Sequence, residues 1–163
     1  MDSVSKQDRF LQLVDACKPL ISKVCYMYAV DSHHFKDLYQ ETLINIWQGI
    51  DAFRGQASAS SWIYRITVNT CVSCYRRNKV LSHSVPIDSL ESPALICDDD
   101  RLAQLNEMYR LVGCLDPVDK AIVLLWLDEK PYDEIASIMG LSRNNVASKL
   151  RRIKERLVRM SSE

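Results

Sequence analysis

Between Pro131 and Met160 the apolar positions change spacing in a way that fits two short helices. Ile135, Ile138 and Met139 form an apolar face, with the small Ala136 where a second helix crosses closely. Gly140 can take the positive φ that ends a helix, and Ser142 is a good N-cap for the next one. Val146, Leu150, Ile153 and Leu157 then recur at four, three and four residues, a buried stripe. The positions between them carry Arg143, Asn144, Asn145, Ser148, Lys149, Arg151 and Arg152. This pattern predicts a helix-turn-helix with a polar, basic outer face suited to the major groove of DNA.

The remaining chain also reads as helices. Phe10, Leu11, Val14, Cys17, Ile21 and Val24 lie at helical spacing, with Pro19 expected to kink or divide the segment. A turn at Asp31-Ser32 precedes a helix from about Phe35 to Ile50, with Leu43, Ile46, Trp47 and Ile50 inward. Its other face shows Asp37, Gln40, Glu41, Ile44, Asn45 and Gln48. Two readings fit that face: an ordinary solvated surface, or a partner-binding surface, because Ile44 stands among polar residues. The stretch DAFRGQASASS, Asp51 to Ser61, breaks the period and predicts a loop, with Ser60 or Ser61 as cap of the helix that follows. From Trp62 to about Lys79, Arg65, Asn69, Ser73 and Arg76 share one face, opposite Ile63, Ile66, Thr70 and Cys74. Together with Tyr75, Arg77 and Lys79, that face suits a phosphate backbone and unstacked bases, or plain solvent.

Leu81 to Asp100 has no amphipathic period; it holds Pro86, Pro93 and the run Asp98-Asp99-Asp100, and reads as a linker. The expected fold is therefore all-α: two small helical domains, residues 1–80 and 101–163, joined by a flexible acidic linker at 81–100. After the linker, Leu102, Leu105, Tyr109 and Val112 mark a helix, and Asp116 with Pro117 marks the start of an apolar one carrying Ala121, Ile122, Leu124, Leu125 and Trp126.

Charge alters this picture by its distribution. The 163 residues hold 21 basic and 21 acidic side chains, net zero. Residues 1–80 hold ten Lys/Arg against seven Asp/Glu (+3), residues 81–100 none against five (−5), and residues 101–163 eleven against nine (+2). Residues 141–160 alone hold seven basic residues and one acid, Glu155, a local footprint for nucleic acid. No apolar run reaches the roughly 18 residues that span a membrane, and the N-terminus has no signal-peptide layout, so a cytoplasmic location is expected. Cys71-x-x-Cys74 lacks a second ligand pair, which favours buried, reduced thiols over a metal or redox site. His33 and His34 are adjacent and point apart on a helix, a poor metal pair. There is no GxxxxGK loop, no HExxH and no spaced nucleophile–base pair, so neither cofactor nor enzyme activity is expected.

Two segments resemble one family. DLYQETLINIWQGIDAFRGQASASSWIYRITVNTCVSCYRR, Asp37–Arg77, resembles the second conserved region of bacterial σ factors of the extracytoplasmic-function (ECF) group. LDPVDKAIVLLWLDEKPYDEIASIMGLSRNNVASKLRRIKERL, Leu115–Leu157, resembles their fourth region. The wording looks most like members from Bacteroidetes-type bacteria. The resemblance implies that Asp37, Leu38, Gln40, Glu41 and Ile44 grip the β′ clamp helices of core RNA polymerase. It implies that Arg54, Gly55, Gln56, Ser58 and Ser60 frame a pocket for a flipped base of the promoter's −10 element. Arg65, Asn69, Arg76 and Arg77 would lie along the melted strand, and the acidic linker would run through the polymerase cleft. Arg143, Asn144, Asn145, Ser148, Lys149 and Arg152 would read the −35 duplex, with the C-terminal domain also on the β flap. Such factors are commonly held by an anti-σ protein, often at the inner membrane. Where the family often has an acid and an aromatic or apolar residue, this chain has Ser73 and Cys74. An ordinary helix-turn-helix regulator, or a σ-like protein using its helix-turn-helix for protein contact, is the alternative.

Overall fold

The computed structural model describes residues 4–55, 58–78 and 99–163. These contain seven α-helices and one 3₁₀ turn, with no strand among the described residues. The described residues fall into two compact units, one of residues 4–29, 33–55 and 58–78 and one of residues 30–32 and 99–163. The predicted acidic linker lies outside the described residues, except for Asp99 and Asp100. Those two are instead the first residues of a helix.

The N-terminal unit consists of α1 (Lys6–Tyr28), α2 (Ser32–Gly49), the 3₁₀ turn Ile50–Ala52, and α3 (Ala59–Asn78). Ser5 caps α1, accepting a hydrogen bond from the Asp8 N–H at 3.1 Å. Pro19 does not divide α1, which runs through as one helix. Cys17, Ile21, Val24 and Cys25, on either side of Pro19, are all buried, and this shared inner face holds the two halves in register. Leu11, placed on that face by its spacing, is 54% exposed; the first turns of α1 overhang the core. The unit's centre is Ile21, Val24, Ile46, Ile50, Ile63 and Tyr64, all fully buried. Each such side chain is worth about 1.5–3 kcal/mol relative to exposure.

The inner face of α2 differs from the one its apolar residues predict. Leu38, Thr42 and Ile46, at i, i+4 and i+8, point inward. Thr42 looks outward by polarity, yet it is fully buried because its hydroxyl donates to the Leu38 carbonyl at 2.8 Å. Trp47, expected inward, is 39% exposed. It packs edge-on against Phe10 with ring centroids 5.3 Å apart, and the Lys6 ammonium lies 4.5 Å from its ring. Asn45, expected on the outer face, is half-buried and donates to Thr70 Oγ1 at 2.8 Å, linking α2 to α3.

The C-terminal unit consists of α4 (Asp99–Gly113), α5 (Pro117–Leu127), α6 (Tyr132–Met139) and α7 (Arg143–Ser161). Ala121 to Leu125 of α5 are buried without a break and form the floor on which α6 and α7 pack. Pro117 takes the first position of α5, where its missing N–H has no helical partner to lose. Gly140 adopts φ +67°, and the Leu141 N–H returns to the Ala136 carbonyl at 2.9 Å, closing α6 as predicted. Ser142 caps α7, accepting from the Asn145 N–H at 3.1 Å. Ile135, Ala136 and Ile138 meet Val146, Leu150 and Ile153 in a helix-turn-helix core.

Candidate nucleic-acid and polymerase interfaces

The α2 residues assigned to polymerase divide into two groups. Asp37 and Gln40 are exposed to solvent in part or in full, and Ile44 is an apolar side chain 52% open to solvent. Leu38 is 1% exposed and is withdrawn from the contact set. It belongs to the Leu38–Thr42–Ile46 core stripe, whose middle member disguised the period.

Glu41 connects two faces that the sequence kept apart. Its Oε1 accepts from Arg77 Nη2 at 2.8 Å, and its Oε2 accepts from the Cys74 thiol at 3.4 Å. Arg77 Nη2 also lies 3.1 Å from the Cys74 sulfur, so carboxylate, thiol and guanidinium form a closed triangle between α2 and α3. The Arg77 hydrogen bond holds the Glu41 carboxyl below the usual carboxylate range. Burial pushes the Cys74 thiol up, so it stays protonated and donates. With His34 and Asp37 these three line a depression of about 250 Å³. Cys71 and Cys74 are both buried, on the inner side of α3 that the helical spacing predicted.

The loop after the 3₁₀ turn carries Arg54, exposed, and Gly55 at φ +71°. Gln56 lies outside the described residues. The cap of α3 is Ser58, not Ser60 or Ser61: its Oγ accepts from the Ser61 N–H at 3.2 Å and donates to Ser61 Oγ at 2.8 Å. Ser61 is thereby drawn into the buried side, while Ser60 is half-buried. Sequence reasoning passed over Phe53 and Trp62, whose rings pack with centroids 4.8 Å apart and pin the two ends of the loop together. Trp62 also closes on Gly49, where an added Cβ would stand 3.3 Å from its ring. The signal was present as an aromatic at each edge of a Gly/Ser/Ala run. Beyond the loop, Arg65, Asn69, Ser73 and Arg76 are exposed along α3, as the periodicity predicted, with Arg77 exposed and Tyr75 40% exposed beside them.

On α7, Arg143, Asn144, Asn145, Ser148 and Arg152 are exposed and Lys149 is partly so, all off the core stripe. Arg143 reaches Asp133 of α6 at 3.4 Å. Arg151, absent from the six residues assigned by resemblance, is exposed and pairs with Glu155 at 3.6 Å. It shares a depression of about 350 Å³ with Ala147, Ser148 and Arg152. That surface offers hydroxyl, guanidinium and methyl groups side by side, the set that reads base edges and thymine methyls. Ala147 was missed because small residues carry no signal of direction.

Both helical units are similar to known proteins. The Sigma-70 region 2 family matches residues 13–80, and the Sigma-70 region 4 family matches residues 105–157. The ECF RNA polymerase sigma factor SigW of Bacillus subtilis is 27% identical over 173 aligned positions, covering 93% of this chain and 88% of that protein. In fold, the chain resembles the sigma factor RpoE, solved with the anti-sigma factor NepR from Bartonella quintana. That match has a TM-score of 0.76 at 19% identity, over 94% of this chain and 97% of that one. It also resembles CnrH, solved with the cytosolic domain of CnrY, with a TM-score of 0.68 at 21% identity over 96% and 89% of the two chains. Region 2 and region 4 matched in order, one on each helical unit, together with an ECF relative aligned over nearly the whole chain, place this protein in the extracytoplasmic-function group of the sigma-70 family, the factors that direct promoter-specific initiation of transcription.

Proposed function

We propose that the N-terminal unit grips the β′ clamp helices of core RNA polymerase with Asp37, Gln40, Glu41 and Ile44, and captures the melted −10 element with the segment Arg54–Arg77. The C-terminal unit sets α7 in the major groove of the −35 element and rests on the β flap. The observation that carries this reading is the pairing of an exposed apolar residue in a polar helix face, Ile44, with exposed basic faces on α3 and α7.

The mechanism is a division of labour. Extruding a base costs on the order of a few kcal/mol in lost pairing and stacking. A loop that binds only the extruded base shifts that equilibrium by its differential affinity. Arg54, Gly55, Gln56, Ser58 and Ser60 frame the site, and the Phe53–Trp62 pair joins the two ends of the loop. Arg65, Asn69, Arg76 and Arg77 hold the strand's phosphates and base edges. On α7, Arg143, Asn144, Asn145, Ser148, Lys149 and Arg152 bind the duplex, and Arg151 and Ala147 join them. Each anchor is weak alone; polymerase links them and supplies the effective concentration. The chain adds recognition and catalyses no reaction of its own, consistent with a family of initiation factors.

An anti-σ protein is the natural antagonist, since the RpoE and CnrH relatives were each solved with a bound partner, NepR and the cytosolic domain of CnrY. It would cover the same surfaces and hold the factor in the cytoplasm or at the inner membrane. No helix among the described residues is long and apolar enough to cross a membrane.

Run-off transcription on genomic fragments, with core polymerase alone and with this protein added, is the test. New discrete start sites are expected only with the protein. Their absence from every fragment, or operator binding as a dimer without polymerase, sinks the reading. Ile44→Asp tests the α2 surface: core binding should fall at least about tenfold, the effect of removing a central apolar anchor, with unchanged helicity. Unimpaired binding places the clamp contact elsewhere.

A further inference from the structure

Four cations on α7 stand apart from the rest. Lys149, Arg152, Arg156 and Arg159 recur at three, four and three residues. At about 100° per residue they fall within an arc of roughly 80°, and they extend about 15 Å along the helix. All four line one depression of about 280 Å³ beside α5, which they share with Asp119, Ile153 and Glu155.

The other cations of α7 are engaged. Arg143 pairs with Asp133, Arg151 with Glu155, and the Lys154 ammonium lies 4.2 Å from the Trp126 ring. Among the described residues, no side chain of the row of four makes an ion pair or hydrogen bond, and Asp119 pairs with none of them. Like charges on successive turns destabilise a helix. The row therefore carries repulsion that Asp119 and Glu155, two acids beside four cations, offset only in part and that a polyanion would offset further.

We infer that this row is a phosphate seat: Lys149, Arg152, Arg156 and Arg159 hold the backbone of one DNA strand at the edge of the groove. The inference rests on the −35 reading above and divides it. Lys149 and Arg152 position the duplex, and Arg156 and Arg159, outside the set assigned by resemblance, share that task. Asn144, Ser148 and Arg151, turned further from α5, face the base edges. A guanidinium takes a phosphate with two parallel hydrogen bonds, which suits three of the four members. Asp119 of α5 and Glu155 of α7 flank the row on its two sides, so the phosphates lie over the cations between them.

The test uses holoenzyme reconstituted from core polymerase and the full chain. The probes are a duplex spanning a start site mapped by run-off transcription and the same duplex with its −35 element replaced. Arg156→Gln with Arg159→Gln should make the slope of log affinity against log salt shallower by about 2, since each phosphate left unneutralised takes about 0.9 from that slope. Both duplexes should weaken by the same factor, leaving their ratio unchanged. Arg156→Lys with Arg159→Lys should keep most of the slope, because charge carries the interaction. Arg151→Gln should instead narrow the ratio between the duplexes. An unaltered slope in the Gln variant overturns the seat, as does a Gln variant that loses discrimination. Weakened core binding with an unaltered DNA slope also overturns it, and makes the row a polymerase contact. A wild-type protein that initiates nowhere overturns the −35 reading and this inference together; one that initiates normally while the slope stays unmoved overturns this inference alone.

Discussion

In the C-terminal unit, the core and the basic face proposed for DNA occupy separate sides of one helix. Val146, Leu150 and Ile153 are buried against α5 and α6, while Asn144, Ser148 and Arg152 face solvent. In the N-terminal unit, residues assigned to partners are joined to the scaffold. Glu41 is tied to Cys74 and Arg77, Ser58 to Ser61, and Leu38 belongs to the core outright. The polar interior follows the same division: Thr42, Ser61, Thr67 and Thr70 are buried in the first unit, and Lys120 alone is a buried polar residue in the second, among the described residues. A surface separate from its core can change its sequence reading without changing its stability. A surface built into the core cannot, so substitutions at the tied residues Glu41 and Ser58 should alter stability and binding together, unlike those at the exposed Ile44.

Truncating the core of the separated unit should have the largest effect. Leu150→Ala removes a fully buried side chain and is expected to destabilise the C-terminal unit by about 2–5 kcal/mol. Native-state hydrogen exchange should show α5–α7 amides losing protection while α1–α3 amides keep theirs. Equal losses in both would mean the units fold as one and would end the comparison.

Backbone strain comes next. Gly140 sits at φ +67° with nothing within 4 Å of an added Cβ, so Gly140→Ala isolates the cost of the left-handed conformation, about 1–2 kcal/mol. Gly140→Asn should lose less, because Asn tolerates that region better. Urea denaturation of the two variants distinguishes strain from crowding, and equal losses would argue for crowding.

Helix caps should cost less again. Ser142→Ala leaves the Asn145 N–H without its acceptor and should lower stability by about 1 kcal/mol. Ser58→Ala should match it in stability, since Ser58 holds the equivalent place before α3. The two should differ in function: Ser58→Ala is expected to impair opening of the −10 element, followed by permanganate reactivity of unpaired thymines. Identical functional profiles would remove the distinction between the units.

The smallest effect concerns the Glu41–Arg77 pair, which is exposed enough for solvent to screen it. The folded-state pKa of Glu41 is depressed, chiefly by the Arg77 hydrogen bond. Its stabilisation is therefore present above the ordinary carboxylate pKa and is lost as pH falls through the depressed value. Wild type should exceed Glu41→Gln slightly in denaturation midpoint at neutral pH, and the gap should close at acid pH. A gap that widens on acidification contradicts the assignment.

The helix-turn-helix was legible almost to the residue. Gly140, Ser142 and the Val146–Leu150–Ile153 stripe are local signals: a glycine for positive φ, a hydroxyl for an open N–H, and an apolar period of three and four. Such signals act over one or two turns, and no distant contact was needed to interpret them. The basic faces of α3 and α7 were legible for the same reason, since exposed charge follows helical periodicity directly.

What the tertiary structure decided was the direction of residues whose polarity misstates their environment. Thr42 is buried with its hydroxyl donating to the Leu38 carbonyl one turn away, and it lies on one inward stripe with Leu38 while Trp47 is left partly exposed. Asn45 found its partner 25 residues away on α3, and Glu41 found Cys74 and Arg77 across a separation of 33 and 36. Periodicity within one helix contains no term for such pairs. The sequence by itself therefore determined the helices, their caps, the helix-turn-helix and the charged faces. Only the packing of α2 against α1 and α3 decided which polar side chains are tied down and which remain open to a partner, because desolvation and hydrogen bonding are settled by neighbours that are close in space and distant along the chain.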